Sequence, residues 1–142
     1  MVENIRDQLA FAAEKRQVAV RVLGGSARAQ GVPRIVEEVL YNLCDNAIAY
    51  NRPGGSVAIT VADTPEGGVV TVADTGIGIP KELQDRVFER FYRVDRSHSG
   101  DGTGLGLSIV KHGTAYLGAR VELESREGEG STFTVRFPPI KD

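Results

Sequence analysis

Residues 74–80 read DTGIGIP and follow directly on residues 69–73, an apolar VVTVA run that predicts a β-strand. The aspartate at the strand end, Asp74, brings a carboxylate acceptor to a point where Gly76 and Gly78 let the backbone turn sharply. A carboxylate accepts hydrogen bonds from an exocyclic amine, while the glycines leave room for a flat ring and Ile77 and Ile79 supply apolar walls. This stretch therefore predicts a strand end that binds a flat ligand carrying an amine.

Two interpretations of residues 74–80 are open when the stretch is taken alone. In the first, the flat ligand is a purine, because the N6 amine of adenine is a donor that the Asp74 carboxylate can accept. In the second, Asp74 only satisfies backbone donors in a glycine turn at the end of a strand. The rest of the chain decides between them.

The composition bounds the class of protein. The chain has 142 residues, of which 41% are hydrophobic and 25% charged, and this predicts one globular domain, residues 1–142, with a real core. No run approaches the roughly 20 apolar residues of a membrane helix, and the start lacks the apolar core of a signal peptide, so we expect a cytoplasmic domain without membrane contact. A formal net charge of -2 and scattered basic residues argue against a nucleic-acid partner. The single cysteine, Cys44, has apolar neighbours in a helical pattern and is expected in the core.

The helix predicted to begin at Pro33 carries a polar stripe beside its apolar one. The apolar stripe comprises Val36, Val39, Leu40, Leu43 and Ala47. The polar stripe, which recurs every four residues, comprises Glu38, Asn42, Asn46 and Tyr50. Asparagine is a mediocre helix former, so Asn42 and Asn46 have a local cost. Their carboxamide oxygens suit a hard cation such as Mg²⁺; the alternative is that both face solvent or bond a neighbouring loop.

Alternating apolar residues predict the strands of a sheet. Residues 18–22 and 57–61 both alternate, and a turn at 64–68 joins the second run to the strand before Asp74, which predicts an antiparallel hairpin. Residues 121–123 and a turn at 127–130 lead into a last strand whose inward-facing residues are Ser131, Phe133, Val135 and Phe137. Ser131 is thus placed to reach Asp74, directly or through water. Residues 2–16 predict a first amphipathic helix.

A glycine-rich segment precedes the last predicted helix. Residues 102–107 read GTGLGL and open an apolar helical pattern that runs through residue 117. Glycines at a helix entry leave its first N–H groups open, and the helix dipole favours an anion such as phosphate there. The polar, glycine-bearing residues 94–103 suit a lid over that site. The alternative is a tight helix entry without a ligand.

Four segments in a fixed order resemble the ATP-binding catalytic domain of bacterial sensor histidine kinases. They are the N box at 42–51 (NLCDNAIAYN), the first glycine box at 74–80 (DTGIGIP), the F box at 88–95 (FERFYRVD) and the second glycine box at 102–107 (GTGLGL). The resemblance extends from about residue 4 to residue 138. The chain lacks the GxxxxGK[ST], strand-linked GxGxxG, HRD, DFG and HExxH signatures, so P-loop, Rossmann, eukaryotic-type kinase and zincin sites are excluded.

The resemblance implies an α+β fold, the Bergerat ATP-binding fold: a two-layer α/β sandwich in which a mixed, mostly antiparallel sheet carries about three helices on one face. It implies protein-histidine kinase activity, in which Mg-ATP gives its γ-phosphoryl group to a histidine on a separate dimerisation domain in two-component signal transduction. Neither His98 nor His112 has the sequence context of that histidine. We therefore expect the sensor, transmembrane and dimerisation parts to lie outside residues 1–142 in a membrane-anchored parent, a response regulator as later partner, and a monomeric isolated domain.

The resemblance also implies roles for individual residues, carried over by position. Asp74 would bind the adenine amine, Asn46 and Asn42 would hold Mg²⁺, and Tyr50 would pack beside the nucleotide. Arg93 would approach the phosphates, and Arg93 and Asn42 are the expected catalytic residues. The remaining nucleotide-binding positions are Gly76, Gly78, Ile79, Gly102, Thr103, Gly104, Leu105, Gly106, Leu107 and Ser131.

The chain departs from the family pattern at two places. Ala49 stands where the N box usually has a basic residue, so one phosphate contact is missing. The last helix reads KHGTAYLGAR at 111–120 where the family commonly ends in an HGG turn, and Gly113 costs up to about 1 kcal/mol in helix propensity, which concerns packing and not the nucleotide site. One alternative is a hydrolytic ATPase like gyrase or MutL, but those place a glutamate base where this chain has Asn42. The other is a nucleotide-binding interaction module without phosphotransfer, for which Ala49 is the only hint.

Overall fold

The fold consists of helices packed on one mixed sheet. The structure is a computed structural model and describes residues 1–24, 31–89 and 106–139. In chain order the described elements are helix α1 (Val2–Lys15), strand β1 (Ala19–Gly24), helix α2 (Pro33–Ala49), strands β2 (Ser56–Thr64) and β3 (Gly67–Asp74), a 3-10 turn at Lys81–Leu83, helix α3 (Gly106–Tyr116) and strands β4 (Arg120–Arg126) and β5 (Gly130–Arg136). Pro33 stands at the first turn of α2, where its missing N–H costs nothing.

The sheet has the strand order β1-β2-β3-β5-β4. Strand β1 pairs parallel with β2, and the other three pairings are antiparallel. The predicted hairpin is therefore confirmed as β2–β3, with Val57 opposite Asp74. This arrangement confirms the α+β sandwich with a mixed, mostly antiparallel sheet.

One face of the sheet is buried under the three helices. Strand residues Val57, Ile59, Val72, Phe133 and Val135 are almost fully buried and join α1, α2 and α3 in one apolar core. The opposite face of the sheet carries Thr60, Thr71 and Thr134 as neighbours, all half-buried. Because side chains alternate along a strand, the apolar alternation in the sequence predicted which residues face the helices.

The boundaries differ from the predicted ones at a few places. Helix α1 ends at Lys15 rather than at residue 16, and β1 begins after Val18, which is nevertheless buried. Strand β3 includes Asp74 itself, so the carboxylate sits on the last residue of the ladder.

Cys44 lies in the core, as predicted. It is 2% exposed, and burial, helped by the neighbouring Asp45 carboxylate, raises the pKa of its thiol to about 12. The thiol is therefore neutral and unreactive at neutral pH, which fits a structural role.

Gly113 has a packing role that its helix propensity alone does not show. It lies where α3 crosses α2, and a Cβ built there would be 2.5 Å from Val39 Cγ2 and 3.5 Å from Ile35 Cγ2. The missing side chain lets the Val39 and Ile35 methyl groups pack directly on the α3 backbone. Gly113 therefore allows close packing between the two helices.

We expect Gly113→Ala to destabilise the domain although alanine is the better helix former. The gain in propensity is about 1 kcal/mol, whereas overpacking a core typically costs about 1–3 kcal/mol, and Val39 has a stiff side chain that cannot rotate away easily. The net expectation is a loss of about 1–2 kcal/mol in the free energy of unfolding, measured by urea denaturation. Adding Val39→Ala should cancel the overlap and make Gly113→Ala favourable; a stabilising Gly113→Ala in the otherwise unchanged domain would contradict this explanation.

Candidate functional site

Asp74 lies at the end of the sheet with one carboxylate oxygen bound and one open. Its side chain shares the helix-covered face with Val70 and Val72 and is half-buried. Oδ1 accepts the N–H groups of Gly76 at 2.9 Å and Ser131 at 3.1 Å. Oδ2 has no partner among residues 1–24, 31–89 and 106–139. Asp74 thus satisfies two backbone donors through one oxygen and leaves the other without a partner in the described part of the chain.

Burial has the largest effect on the pKa of Asp74. Burial raises the pKa of this carboxyl above its ordinary value, and the hydrogen bonds from the Gly76 and Ser131 amides lower it by a smaller amount. The ionised form is thus less favourable in the fold than in water. A half-buried carboxylate with a perturbed pKa and one oxygen left unpaired among the described residues is a typical feature of a functional site.

Gly76 and Gly78 let the first glycine box lie against neighbouring backbone. A Cβ at Gly76 would overlap the carbonyl oxygen of Tyr50, the residue that ends α2. A Cβ at Gly78, which has φ +70°, would overlap the carbonyl oxygen of Arg126 at the end of β4. The sequence predicts that these glycines leave space for a ring; in the fold both are also required for the loop to pack.

Hydrogen bonds also connect the first glycine box to the end of α2 and to the β4–β5 turn. The Ile77 N–H donates to the Tyr50 carbonyl at 3.1 Å, and the Ile77 carbonyl accepts the Gly128 N–H at 2.7 Å. Ile79 is buried; its N–H donates to Ser125 Oγ at 2.8 Å and its carbonyl accepts Gln84 Nε2 at 3.0 Å. The loop is therefore held in place by partners from three parts of the chain.

Ser131 contacts Asp74 through its backbone. Its N–H donates to Asp74 Oδ1, whereas its hydroxyl oxygen lies 2.7 Å from Ser125 Oγ. The prediction that Ser131 reaches Asp74 directly is thus met by the amide, and the hydroxyl has a second serine as its neighbour. Ser131 is 7% exposed, so this hydroxyl pair is shielded from water.

Asn51 and Thr75 organise the edge of the site, and neither was among the predicted site residues. Asn51 is 8% exposed; its Nδ2 donates to the Ser56 carbonyl at 2.9 Å and its Oδ1 accepts the Arg52 N–H at 2.8 Å. Thr75 Oγ1 accepts the Ser56 N–H at 2.9 Å. A Cβ at Gly55 would overlap Asn51 Oδ1, so this glycine makes room for the amide. The only sequence signal was the position of Asn51 at the end of the N box, next to the Arg52–Pro53 turn.

The polar stripe of α2 faces the start of α3 at Asn42. Asn42 Nδ2 donates to the Glu38 carbonyl of its own helix at 2.7 Å, while its Oδ1 would lie 3.3 Å from a Cβ built on Gly106. The fold thus brings the N box close to Gly106, which belongs to the second glycine box and is the first residue of α3. Asn46, one turn further, is half-buried, and its side chain has no hydrogen-bond partner within the described ranges. Tyr50 is half-buried and contributes its carbonyl to the glycine box.

Several predicted site residues lie outside the described residues. These are Arg93, Gly102, Thr103, Gly104 and Leu105, together with the proposed lid. Of the remaining members of that segment, Gly106 begins α3 and Leu107 packs partly against the core. Phe88, the first residue of the F box, packs edge-on against Phe133 with ring centroids 6.1 Å apart. The first residue of the F box therefore packs on the helix-covered face of the sheet.

The donor set at this site consists of amides and one carboxylate. Among the described residues there is no group of three or more histidine, cysteine, aspartate or glutamate side chains that would form a protein-only metal centre. The carboxamide oxygens of Asn42 and Asn46 are the groups that fit a hard cation here, since such an ion takes oxygen ligands and shares its shell with water and phosphate. In the part of the chain that the structure describes, none of the helices is both long and apolar enough to cross a membrane.

Comparisons with known proteins agree with this geometry. A family model described as histidine kinase-, DNA gyrase B-, and HSP90-like ATPase matches residues 31–141. The sensor-like histidine kinase SenX3 of Mycolicibacterium smegmatis is 41% identical over 134 residues, which cover 92% of this chain and 35% of SenX3. The chain thus spans about a third of the length of this relative.

Solved structures of histidine kinases have the same fold. The mycobacterial sensor histidine kinase MprB superposes with a TM-score of 0.80 at 25% identity, covering 97% of both chains. Full-length ShkA, solved in complex with AMPPNP, superposes with a TM-score of 0.81 at 25% identity, covering 99% of this chain and 30% of ShkA.

Proposed function

Because this chain belongs to the histidine kinase-, DNA gyrase B-, and HSP90-like ATPase family, we propose that it is the ATP-binding catalytic domain of a sensor histidine kinase. In this role it binds Mg-ATP and transfers the γ-phosphoryl group to a histidine on a separate dimerisation domain. The observation that carries the proposal is the open Oδ2 of Asp74 at the end of β3, one residue before a glycine loop packed on the N-box helix.

The adenine base is recognised at Asp74. Oδ1 is occupied by the Gly76 and Ser131 amides, which fix the carboxylate in one orientation. Oδ2 then accepts the N6 amine of adenine, and Ile79, held at both backbone groups, forms an apolar wall. Tyr50 closes the α2 side of the base site. A fixed acceptor selects an amine over a carbonyl group, so the site prefers ATP to GTP.

The triphosphate lies between the polar stripe of α2 and the second glycine box. The contact between Asn42 and Gly106 brings these two segments together. Asn46 and Asn42 would hold Mg²⁺, and the ion would neutralise charge on the phosphates. Arg93, with Gly102, Thr103, Gly104, Leu105 and Leu107, completes the phosphate contacts. Phosphoryl transfer requires positioning and charge neutralisation more than a strong base, so amides and one arginine suffice.

The phosphate acceptor belongs to another domain. His112 lies on α3 within the fold and His98 lies in the proposed lid, and neither has the sequence context of a phosphorylated histidine. Residues 1–142 therefore act as one catalytic domain that meets its acceptor in trans, followed by a response regulator. The domain is cytoplasmic and monomeric by itself, with no nucleic-acid partner.

The test is an acid-labile label on the acceptor. The domain is mixed with its matching dimerisation hairpin and γ-labelled ATP, and label that appears on the hairpin histidine supports the proposal. Free phosphate without labelled protein would instead indicate a gyrase-like ATPase, which Asn42 in place of the glutamate base argues against. Nucleotide binding without either product would indicate an interaction module, for which the only hint is Ala49 in place of the usual basic residue.

We expect Asn46→Asp to reduce Mg²⁺-dependent phosphotransfer by about tenfold or more. The new carboxylate would stand beside the polyphosphate and change the charge of the metal shell, and each 1.4 kcal/mol lost is a factor of ten. The measurement is the rate of hairpin labelling across a Mg²⁺ titration. Asn4→Asp, the same change on the exposed side of α1, should leave the rate unaltered. Full activity of Asn46→Asp would exclude Asn46 from the metal site.

A further inference from the structure

A pair of serine hydroxyls lies behind Asp74, one from each of the last two strands. Ser125 of β4 and Ser131 of β5 are directly paired in register, as Ser131 is with Asp74 of β3. All three side chains point to the helix-covered face of the sheet. Ser125 was not among the predicted site residues.

The Ser125 hydroxyl has three neighbours at hydrogen-bonding distance. It accepts the Ile79 N–H at 2.8 Å, it lies 2.9 Å from the Gly130 carbonyl oxygen, and it lies 2.7 Å from Ser131 Oγ. A serine hydroxyl offers one hydrogen and two acceptor positions. One acceptor position is taken by Ile79, so the remaining hydrogen and acceptor position serve Gly130 and Ser131.

The number of hydroxyl hydrogens determines which of the two serines donates to the other. A carbonyl oxygen can only accept, so the Ser125 hydrogen goes to Gly130 and the Ser131 hydrogen goes to Ser125. The reverse direction would leave the Ser131 hydrogen without an acceptor among the described residues, in a position that is 7% exposed. An unpaired buried polar hydrogen is costly, so the first direction is the stable one.

We propose that Ser125 is a positioning residue that determines base specificity, because it takes the Ser131 hydrogen and leaves Ser131 Oγ as an acceptor only. Together with Asp74 Oδ2, the pocket then offers acceptors and no hydroxyl donor to position 6 of the purine. The site thus rejects a 6-carbonyl purine, and this inference rests on the proposed binding of ATP at Asp74.

The test compares ATP with inosine triphosphate, which replaces the 6-amine by a carbonyl and lacks the 2-amine of GTP. In Ser125→Ala the Ser131 hydroxyl loses its acceptor and becomes free to donate to the carbonyl. We expect the ratio of the Kd for inosine triphosphate to the Kd for ATP, measured by calorimetry, to fall about three- to tenfold, the worth of one hydrogen bond. Loss of the Ile79 contact should weaken both nucleotides alike and cancel in the ratio.

Three further variants separate this role from a structural one. Ser125→Thr keeps the hydroxyl and should restore the wild-type ratio. The double variant Ser125→Ala with Ser131→Ala has no hydroxyl to donate, so its ratio should return to the wild-type value even though affinity is lower. Thr114→Val, which removes a buried hydroxyl bonded to the Lys111 carbonyl in α3, is the control and should not change the ratio.

Two outcomes would overturn the inference and are distinguishable from failure of the proposed function. If the wild-type domain prefers ATP but Ser125→Ala keeps the same ratio, Ser125 has no part in specificity. If the double variant is as relaxed as Ser125→Ala, the Ser131 hydroxyl is not the group involved. A wild-type domain that does not bind ATP would overturn the proposed function itself, before any variant is compared.

Discussion

Asp74→Asn is expected to lose ATP affinity and to gain stability at neutral pH. The amide keeps an oxygen for the Gly76 and Ser131 amides but places an NH₂ group where the N6 amine of adenine donates. Two donors then face each other, and the loss of a charge-assisted bond alone is worth about 10- to 100-fold in Kd. Calorimetry with ATP and GTP measures the effect, and the loss for GTP should be much smaller. Unchanged ATP affinity would exclude Asp74 from base recognition.

The gain in stability follows from the raised pKa of Asp74. Because burial raises the folded-state pKa above the ordinary value of 3.8, the folded state holds its proton at pH values where the unfolded state has lost it. Stability therefore falls as pH rises through the window between 3.8 and the raised pKa, and Asp74→Asn removes this fall. We expect the variant to have the higher Tm at pH 7 and the same Tm as the wild type below pH 3.8.

The stability prediction has a matched control. Asp63 is an exposed aspartate near the other end of the β2–β3 hairpin, so Asp63→Asn should change neither Tm nor ATP affinity. A Tm gain for Asp74→Asn that persists below pH 3.8 would show that packing, and not the cost of burying the carboxylate, is its cause. A Tm gain confined to higher pH would show that the domain keeps a destabilising charge at this candidate site, as sites that need a particular ionised group often do.

Gly76→Ala is expected to destabilise the domain by about 2–3 kcal/mol and to reduce ATP binding at least tenfold. The new Cβ would overlap the Tyr50 carbonyl oxygen and lie 3.0 Å from the Asn51 Cα. Both are backbone atoms, so relief requires moving the loop away from α2 and stretching the bond from the Ile77 N–H to Tyr50. The same movement displaces the Gly76 amide that orients Asp74.

A second glycine separates crowding from backbone strain. Gly118 has φ +69° and nothing within 4 Å of a built Cβ, so Gly118→Ala reports only the left-handed backbone conformation and should cost about 1 kcal/mol without changing ATP affinity. Urea denaturation and calorimetry on both variants make the comparison. If Gly76→Ala were no more harmful than Gly118→Ala, the close approach of the loop to Tyr50 would not limit the fold.

The predicted fold was largely readable because the periodicities are local. The alternation around Val57 and Phe133 and the helical stripe through Val39 and Leu43 each report which side chains face a core, and all four are buried. For the candidate site, the sequence pointed to Asp74, and the open Oδ2 agrees with that assignment. It did not single out Asn51, Thr75 or Ser125, because a polar residue at a strand end or in a turn has many possible partners.

The sequence by itself determined the secondary-structure elements, the faces that they bury and the family motifs, since these depend on residues close together in the chain. Only the tertiary structure decided that β1 runs parallel to β2 and that Val39 packs on the backbone at Gly113. It also decided that the Ser125 hydroxyl contacts the Ser131 hydroxyl, next to Asp74. These contacts depend on the order of the strands and on the closeness of the helices. The physical reason is that steric fit and hydrogen-bond direction between distant segments arise only when the whole core has packed.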